Sequence, residues 1–353
     1  MTQPASITVI GAGSWGTALA IVLAKNGHAV HLWARDSGLA ERSEHDRINA
    51  RYLADCPFPD GLSVTSDLTA ALQHAAQIWL VLPTKALAEF LTAHAADFPT
   101  GAVIVNAAKG FEHGTGRKIS ELAASCLEAH PFVVVSGPTF AHEVATGKPS
   151  AITVACTDLS VAEGIAATLR NPTLRTYPTD DVTGVEIAGG LKNVLAIAAG
   201  VADGFGFGAN ARAALITRGL AELMRLGAAM GARPETFMGL AGVGDLVLTC
   251  TDDQSRNRRF GLKLAQGYRM QEAVAAIGQA VEGIGAATEG QRLAERYAVD
   301  MPIVHAVCQV DSVRDVRFDY RAQFGADVQC RLRCERTICI FTVTARPANG
   351  RVA

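Results

Sequence analysis

A chain of 353 residues exceeds one ordinary domain and suits two. With 49% hydrophobic and 19% charged residues, it has the side chains for large cores, which excludes global disorder. Its 32 Lys+Arg against 34 Asp+Glu leave a net charge of −2, so no electrostatic case exists for a nucleic-acid partner or a charged membrane surface.

In chain order, Ile7–Ile10 reads as a strand, and Gly11–Gly16 turns into a helix that reaches Asn26 and stops at Gly27. Ala29–Trp33 is a second strand, and Ile78–Leu82, Ala102–Val105, Phe132–Val135 and Ala151–Ala155 are further buried-looking runs. Helical segments start near Lys85 and Gly116. Strands alternating with helices predict an α/β, Rossmann-type, doubly wound and mostly parallel sheet over residues 1–180. Beyond Asp180 the texture changes. Val182–Val201, Arg212–Met230, Arg258–Gln266, Met270–Ile277 and Glu289–Tyr297 fit helices, and no strand is expected before about Gln309. Residues 181–310 are therefore expected to form an all-α substrate domain. Residues 311–353 hold eight Arg, no Lys and one Leu. This atypical tail reads as disordered, as a divergent extension or as the product of a shifted reading frame, although Thr337–Thr344 is β-branched enough to form an edge strand.

No membrane insertion is expected, because no segment reads as a spanning helix of about 20 apolar residues. The first 24 residues carry no Lys or Arg, so no secretory leader is expected either. None of the eight cysteines forms a Cys-x-x-Cys pair. They read as small core hydrophobes of a reduced, cytoplasmic protein. No cluster has the spacing of a metal site.

Gly11-Ala12-Gly13-Ser14-Trp15-Gly16 follows a strand and opens a helix, which is the context a dinucleotide site requires. Gly11 permits the tight turn, Gly13 lets backbone approach a pyrophosphate, and Gly16 allows close helix–strand packing. The helix start offers free N–H groups and a positive dipole end. The second strand ends in Ala34-Arg35-Asp36. An acid there favours a free ribose 2′-hydroxyl and an arginine a 2′-phosphate. Arg35 is nearer the strand end, so NADPH is the favoured cofactor, with NADH tolerated.

Lys192 lies in Gly189-Gly190-Leu191-Lys192-Asn193-Val194, where its helical neighbours Ala188, Gly189, Leu195 and Ala196 include no carboxylate. Desolvation lowers a lysine pKa, and a lowered pKa suits proton transfer near neutral pH. A helix-face lysine reaching to water is the alternative. Lys109 follows a strand end, where open parallel sheets gather their ligands, and it reads equally as an anion holder or a surface lysine. Asp245, in Gly242-Val243-Gly244-Asp245-Leu246-Val247, needs a cation partner if buried, and Lys192 is a candidate. Ser255 reads as a helix N-cap. Beside it Arg256 and Asn257 suit a phosphate, while Arg258 and Arg259 read as a solvated basic turn.

These residues together resemble the bacterial NAD(P)-dependent sn-glycerol-3-phosphate dehydrogenases from about residue 6 to 310. The resemblance is carried by Gly-Ala-Gly-Ser-Trp-Gly-Thr-Ala-Leu-Ala from Gly11, Ser-Gly-Pro-Thr-Phe-Ala from Ser136 and Leu-Lys-Asn-Val from Leu191. It continues through Gly-Phe-Gly-Ala-Asn-Ala-Arg from Gly206, Ile-Thr-Arg-Gly-Leu from Ile216, Gly-Val-Gly-Asp-Leu from Gly242, Gln-Ser-Arg-Asn-Arg from Gln254 and Val-Glu-Gly from Val281. It implies reversible reduction of dihydroxyacetone phosphate, feeding phospholipid synthesis, at a site between the two domains. It puts the proton-transfer lysine on Lys192, with Lys109 and Asp245 beside it in the chemistry. Substrate contacts fall on Lys109, Gly137, Thr139, Lys192, Asp245, Ser255, Arg256 and Asn257. Cofactor contacts fall on Ser14, Trp15, Arg35, Lys109, Ala141, Arg256, Val281 and Glu282, in addition to Gly11, Gly13 and Gly16. The only partner expected is the small phosphorylated substrate; a homodimer is left open. Two rivals stand beside this reading: a dehydrogenase of the same plan for another small carbonyl compound, and a nucleotide-sensing protein without turnover.

Overall fold

The computed structural model describes residues 4–309 and, beyond them, the strands Arg317–Asp319, Val328–Glu335 and Ile338–Ala345. Eight strands form the main sheet: β1 (Ser6–Ile10), β2 (Ala29–Trp33), β3 (Leu62–Thr65), β4 (Gln77–Leu80), β5 (Val103–Asn106), β6 (Phe132–Ser136), β7 (Ser150–Ala155) and β8 (Leu174–Thr179). Their order is β3-β2-β1-β4-β5-β6-β7-β8. Every neighbouring pair is parallel except β6 with β7. Alternate residues of the central strands enter opposite layers: Val9, Trp79 and Val105 pack on one face, Ile10, Ile78, Leu80 and Ile104 on the other. Burial on both faces explains why these strands read as continuous apolar runs.

The sequence reading missed β3 and β8, and both are edge strands. In β8, Arg175 and Tyr177 face solvent and Pro178 occupies a position that a central strand would not tolerate. It also missed the helix Ser37–Asp46, whose polar sequence has little apolar periodicity. The expected strand Ile78–Leu82 stops at Leu80, and the Val81 N–H that follows still bonds the Ile10 oxygen at 2.9 Å. The helix expected from Gly116 starts at Ile119.

After β8 the described chain up to Gln309 is helical. Helix Val182–Gly204 is buried along nearly its whole length. It is the one helix among the described residues long and apolar enough to cross a membrane, but it is enclosed by the protein itself. Helices Gly208–Ala229, Arg256–Ala265, Glu282–Arg296 and Pro302–Gln309 pack around it. The expected helix Met270–Ile277 is present with those bounds. The expected segment Glu289–Tyr297 is the second half of a helix that begins at Glu282. Helix Arg256–Ala265 crosses the axial helix backbone to backbone. A Cβ on Gly200 would lie 2.1 Å from the Arg258 carbonyl oxygen, and one on Gly261 would lie 2.2 Å from that of Ile197. Only glycine permits that approach, and it brings the start of one helix beside the middle of the other.

The three tail strands form a separate antiparallel sheet, Ile338–Ala345 pairing with Val328–Glu335 and that strand with Arg317–Asp319. The other tail residues, and with them the expectation of disorder or a shifted frame, lie outside the described residues.

Candidate active site

The loop after β1 sits where the strand order reverses, between β1 and β4, the place where open parallel sheets bind ligands. Gly11 has φ +117°, and a Cβ there would meet the Val81 carbonyl oxygen at 2.7 Å. A Cβ on Gly16 would fall 1.9 Å from the Gly11 oxygen. At Gly13, by contrast, nothing lies within 4 Å of a Cβ position, and no side chain caps the helix Ser14–Lys25 that it opens. Open space and free N–H groups therefore face the same way, as a pyrophosphate requires. Trp15 Nε1 beside them is buried without a partner. These features fit a dinucleotide. Asn49, 0% exposed, holds the loop by donating from Nδ2 to the Ala12 oxygen and to Thr17 Oγ1, each at 2.9 Å. No local signal marked it.

At the tip of β2 the two candidate ribose contacts separate. Asp36 caps helix Ser37–Asp46, its Oδ1 accepting from the Leu39 N–H at 3.0 Å, while Arg35 is exposed. The acid is committed to the helix and the arginine is not.

Near the carboxyl ends of β5 and β6, two lysines share one carboxylate. Asp245 is 1% exposed and opens helix Asp245–Thr251. Lys192 Nζ donates to Asp245 Oδ1 and to Thr249 Oγ1 at 2.9 Å. Lys109 Nζ donates to Asp245 Oδ2 at 2.7 Å and to the Gly137 oxygen at 3.2 Å. Lys192, 7% exposed, thus has the cation–carboxylate contact that Asp245 called for. Burial, against the opposing pull of Asp245 and aided by the nearby Lys109 charge, lowers its pKa to about 8. Thr249 was missed, although its place four residues after Asp245, on one helix face, was a readable signal.

Of the remaining candidates, Ala141 packs against the core of the sheet domain and the others extend the site from several elements. Gly137 leaves β6, and Thr139 Oγ1 donates to its carbonyl at 3.1 Å. Ala141 begins the short helix Ala141–Ala145. Ser255 caps its helix, accepting from the Arg258 N–H at 3.2 Å. Arg256 is half-buried at the first position of that helix. Asn257 is spent on structure: Nδ2 donates to Asn193 Oδ1 and Oδ1 accepts from the Gly283 N–H, both at 2.9 Å. What Asn257 can offer a phosphate is its backbone N–H in the first turn. Asn193, next to Lys192, was also missed. Val281 precedes helix Glu282–Arg296. Glu282 is pushed up by burial, with Arg256, Lys109 and Lys192 pulling it back, so it faces the same group of cations.

Arg258 is a correction. It is not a solvated residue but a buried one, paired with Asp203 at 2.7 Å and with Asp253. Asp203 lies on the axial helix, too far along the sequence for local reading. Arg259 is exposed as expected.

The chain has similar relatives. The sequence profile of the NAD-dependent glycerol-3-phosphate dehydrogenase N-terminus matches residues 6–162, and that of the C-terminus matches residues 181–314. The chain belongs to the NAD-dependent glycerol-3-phosphate dehydrogenase family. A glycerol-3-phosphate dehydrogenase [NAD(P)+] of Thioalkalivibrio sulfidiphilus is 53% identical over 311 residues, covering 88% of this chain and 93% of that one. One from Escherichia coli is 52% identical over 308 residues, covering 87% and 91%. The crystal structure of the glycerol-3-phosphate dehydrogenase of Coxiella burnetii superposes with a TM-score of 0.85 at 42% identity, covering 87% of this chain and 94% of that one. The family is one of NAD(P)-linked oxidoreductases, in accord with the sheet and the glycine loop. The C-terminal match ends close to where the atypical tail begins.

Proposed function

We propose that the protein reversibly interconverts dihydroxyacetone phosphate and sn-glycerol 3-phosphate by direct hydride transfer, with Lys192 as proton donor in reduction. The observation that carries this is the Lys192–Asp245–Lys109 bridge in a member of this family. Two of the three ammonium protons of Lys192 are committed inward, to Asp245 and Thr249. The third remains for the oxygen that gains charge as the C2 carbonyl is reduced. A pKa near 8 keeps Lys192 mostly protonated at neutral pH yet able to give the proton up.

One carboxylate between two ammonium groups leaves an excess positive charge, which favours a developing alkoxide. Lys109 anchors or polarises the same end of the substrate. Asp245 orients both lysines. Arg256 and the first-turn N–H groups that follow Ser255 hold the phosphate and so position C2. Gly137 and Thr139 line the substrate end of β6. The Gly11–Gly16 loop would hold the pyrophosphate of a nicotinamide dinucleotide, which would supply the hydride. Ser14, Trp15, Arg35, Ala141, Val281 and Glu282 are its further contacts, and free Arg35 beside committed Asp36 favours NADPH over NADH.

In this reading residues 1–180 form the dinucleotide-binding domain and residues 181–310 the substrate domain, with the site between them and residues of both reaching cofactor and substrate. The product feeds phospholipid synthesis in the cytoplasm, and the working form is a homodimer. The test is NADPH oxidation by the purified protein with dihydroxyacetone phosphate against free dihydroxyacetone. Turnover of the phosphorylated compound alone supports the proposal. Equal turnover of both would favour a dehydrogenase for another small carbonyl compound, and none of either would favour a sensor.

A further inference from the structure

Lys109 lies on the segment that leaves β5 and reaches helix Ile119–Cys126. Its ammonium crosses to Asp245 in the helical domain, so its position depends on how that segment is seated. Several contacts from the helical domain seat it, among them a hydrogen bond from Lys118 Nζ to Thr183 Oγ1 at 2.8 Å. Phe111 is buried in that domain's apolar cluster, its ring 2.8 Å from where a Cβ on Gly190 would lie, two residues before Lys192. The Gly114 N–H donates to Glu289 Oε1 at 2.8 Å, and the Thr115 oxygen accepts from Arg296 Nη2 at 2.7 Å. Glu186 accepts from the Ser120 N–H at 2.8 Å and from the Ser120 hydroxyl.

Both carboxylates are buried, Glu289 to 2% exposure. Glu289 Oε2 has no hydrogen bond and meets only Arg292 Nε at 3.5 Å. Buried acids are costly, and apolar packing would hold a loop more firmly. What a carboxylate on a named N–H adds is register: it fixes which residue of the loop sits where.

We infer that Glu289 and Glu186 are positioning residues for Lys109. They clasp residues 110–120 onto the helical domain, and the register they impose sets where the Lys109 ammonium stands relative to Asp245 and the substrate. The inference rests on the role proposed above for Lys109, but its first readout does not require turnover.

That readout is reductive methylation of lysines followed by mass spectrometry. Lys148, with a side chain 59% exposed, is the reference, and Lys192 is the control that the clasp does not touch. Glu289→Ala should raise Lys109 labelling several-fold relative to Lys148 and leave Lys192 unchanged. Glu289→Gln keeps the acceptor at Oε1 and should restore the wild-type rate. The second readout is a double-mutant cycle on kcat/KM for dihydroxyacetone phosphate. Glu289→Ala should cost about tenfold in the wild-type background and little in the Lys109→Ala background, because a residue acting through Lys109 has nothing left to act on. Should Glu289→Ala fold poorly, Arg296→Ala removes the neighbouring contact at Thr115 from an exposed position and should give the same pattern more weakly. Unchanged Lys109 labelling in folded variants, a uniform rise at all three lysines, or equal losses in both backgrounds would each overturn the clasp. Wild-type protein inactive on dihydroxyacetone phosphate would instead retire the proposed function, with the labelling still deciding the clasp.

Discussion

Asp245→Asn isolates charge from shape at the centre of the site. The side chain keeps its size and one acceptor oxygen, but two buried lysines lose their shared counter-ion. At an effective dielectric of about 20, a pair at the 2.7 Å of Lys109 and Asp245 attracts by roughly 6 kcal/mol before desolvation. If even a third of that is lost for Lys192, about 2 kcal/mol, its pKa falls by roughly 1.5 units. Lys192 starts near 8, so it would then titrate below neutrality. Reduction needs the protonated lysine, so its rate falls as pH rises through the pKa. The descending limb of kcat/KM for reduction, which reports the free enzyme, should therefore move from about pH 8 to below pH 7. Oxidation of glycerol 3-phosphate, which needs the neutral lysine, should become less dependent on alkaline pH. Initial rates in both directions across pH 5.5–9.5, with circular dichroism to verify folding, measure this. A limb that stays near pH 8 with undiminished kcat/KM would refute both the pairing and the assignment of the proton to Lys192.

Arg256→Ala should lower kcat/KM for dihydroxyacetone phosphate by about 10- to 150-fold, since a charge-assisted contact to phosphate is worth roughly 1.5–3 kcal/mol; an unchanged value would move the phosphate elsewhere. Arg35→Asp should shift preference from NADPH toward NADH, read as the ratio of kcat/KM for the two cofactors, and an unmoved ratio would place Arg35 away from the ribose. Glu222 caps helix Pro302–Gln309 by accepting from the Ile303 and Val304 N–H groups, and burial raises its pKa from 4.5 to about 7. A carboxyl whose folded pKa is raised gives stability that is full below the unfolded pKa and is lost as pH rises through the folded one. Melting temperature should thus fall between about pH 4.5 and 7 for a loss of up to about 3 kcal/mol, and Glu222→Gln should flatten the slope in that window; an equally steep slope in the variant would contradict it. A chain ended after Val310 should keep its specific activity, because the candidate site residues all precede residue 290, while its melting temperature reports whether the tail adds stability.

Much of the architecture was written locally. The glycine loop needs only six residues in a strand–turn–helix context. The central strands announce themselves as apolar runs because both faces are buried, and the Ser255 cap acts over three residues. Lys192 was identifiable because its helical neighbours are apolar. Edge strands β3 and β8 were not legible, since a half-exposed strand has no such run. The pairing of Lys192 with Asp245, 53 positions away, was legible only as a candidate, and nothing in the sequence said that Lys109 meets the same carboxylate from 136 positions away. The sequence could not show that the Asn257 amide is consumed by Asn193 and Gly283, or that Arg258 is buried against Asp203. Periodicity, caps and turn residues act over one or two turns of chain. Those pairings arise where helices Asp245–Thr251 and Arg256–Ala265 pack on helix Val182–Gly204 and where the segment after β5 is seated on the helical domain, so they are decided by packing between elements remote in sequence.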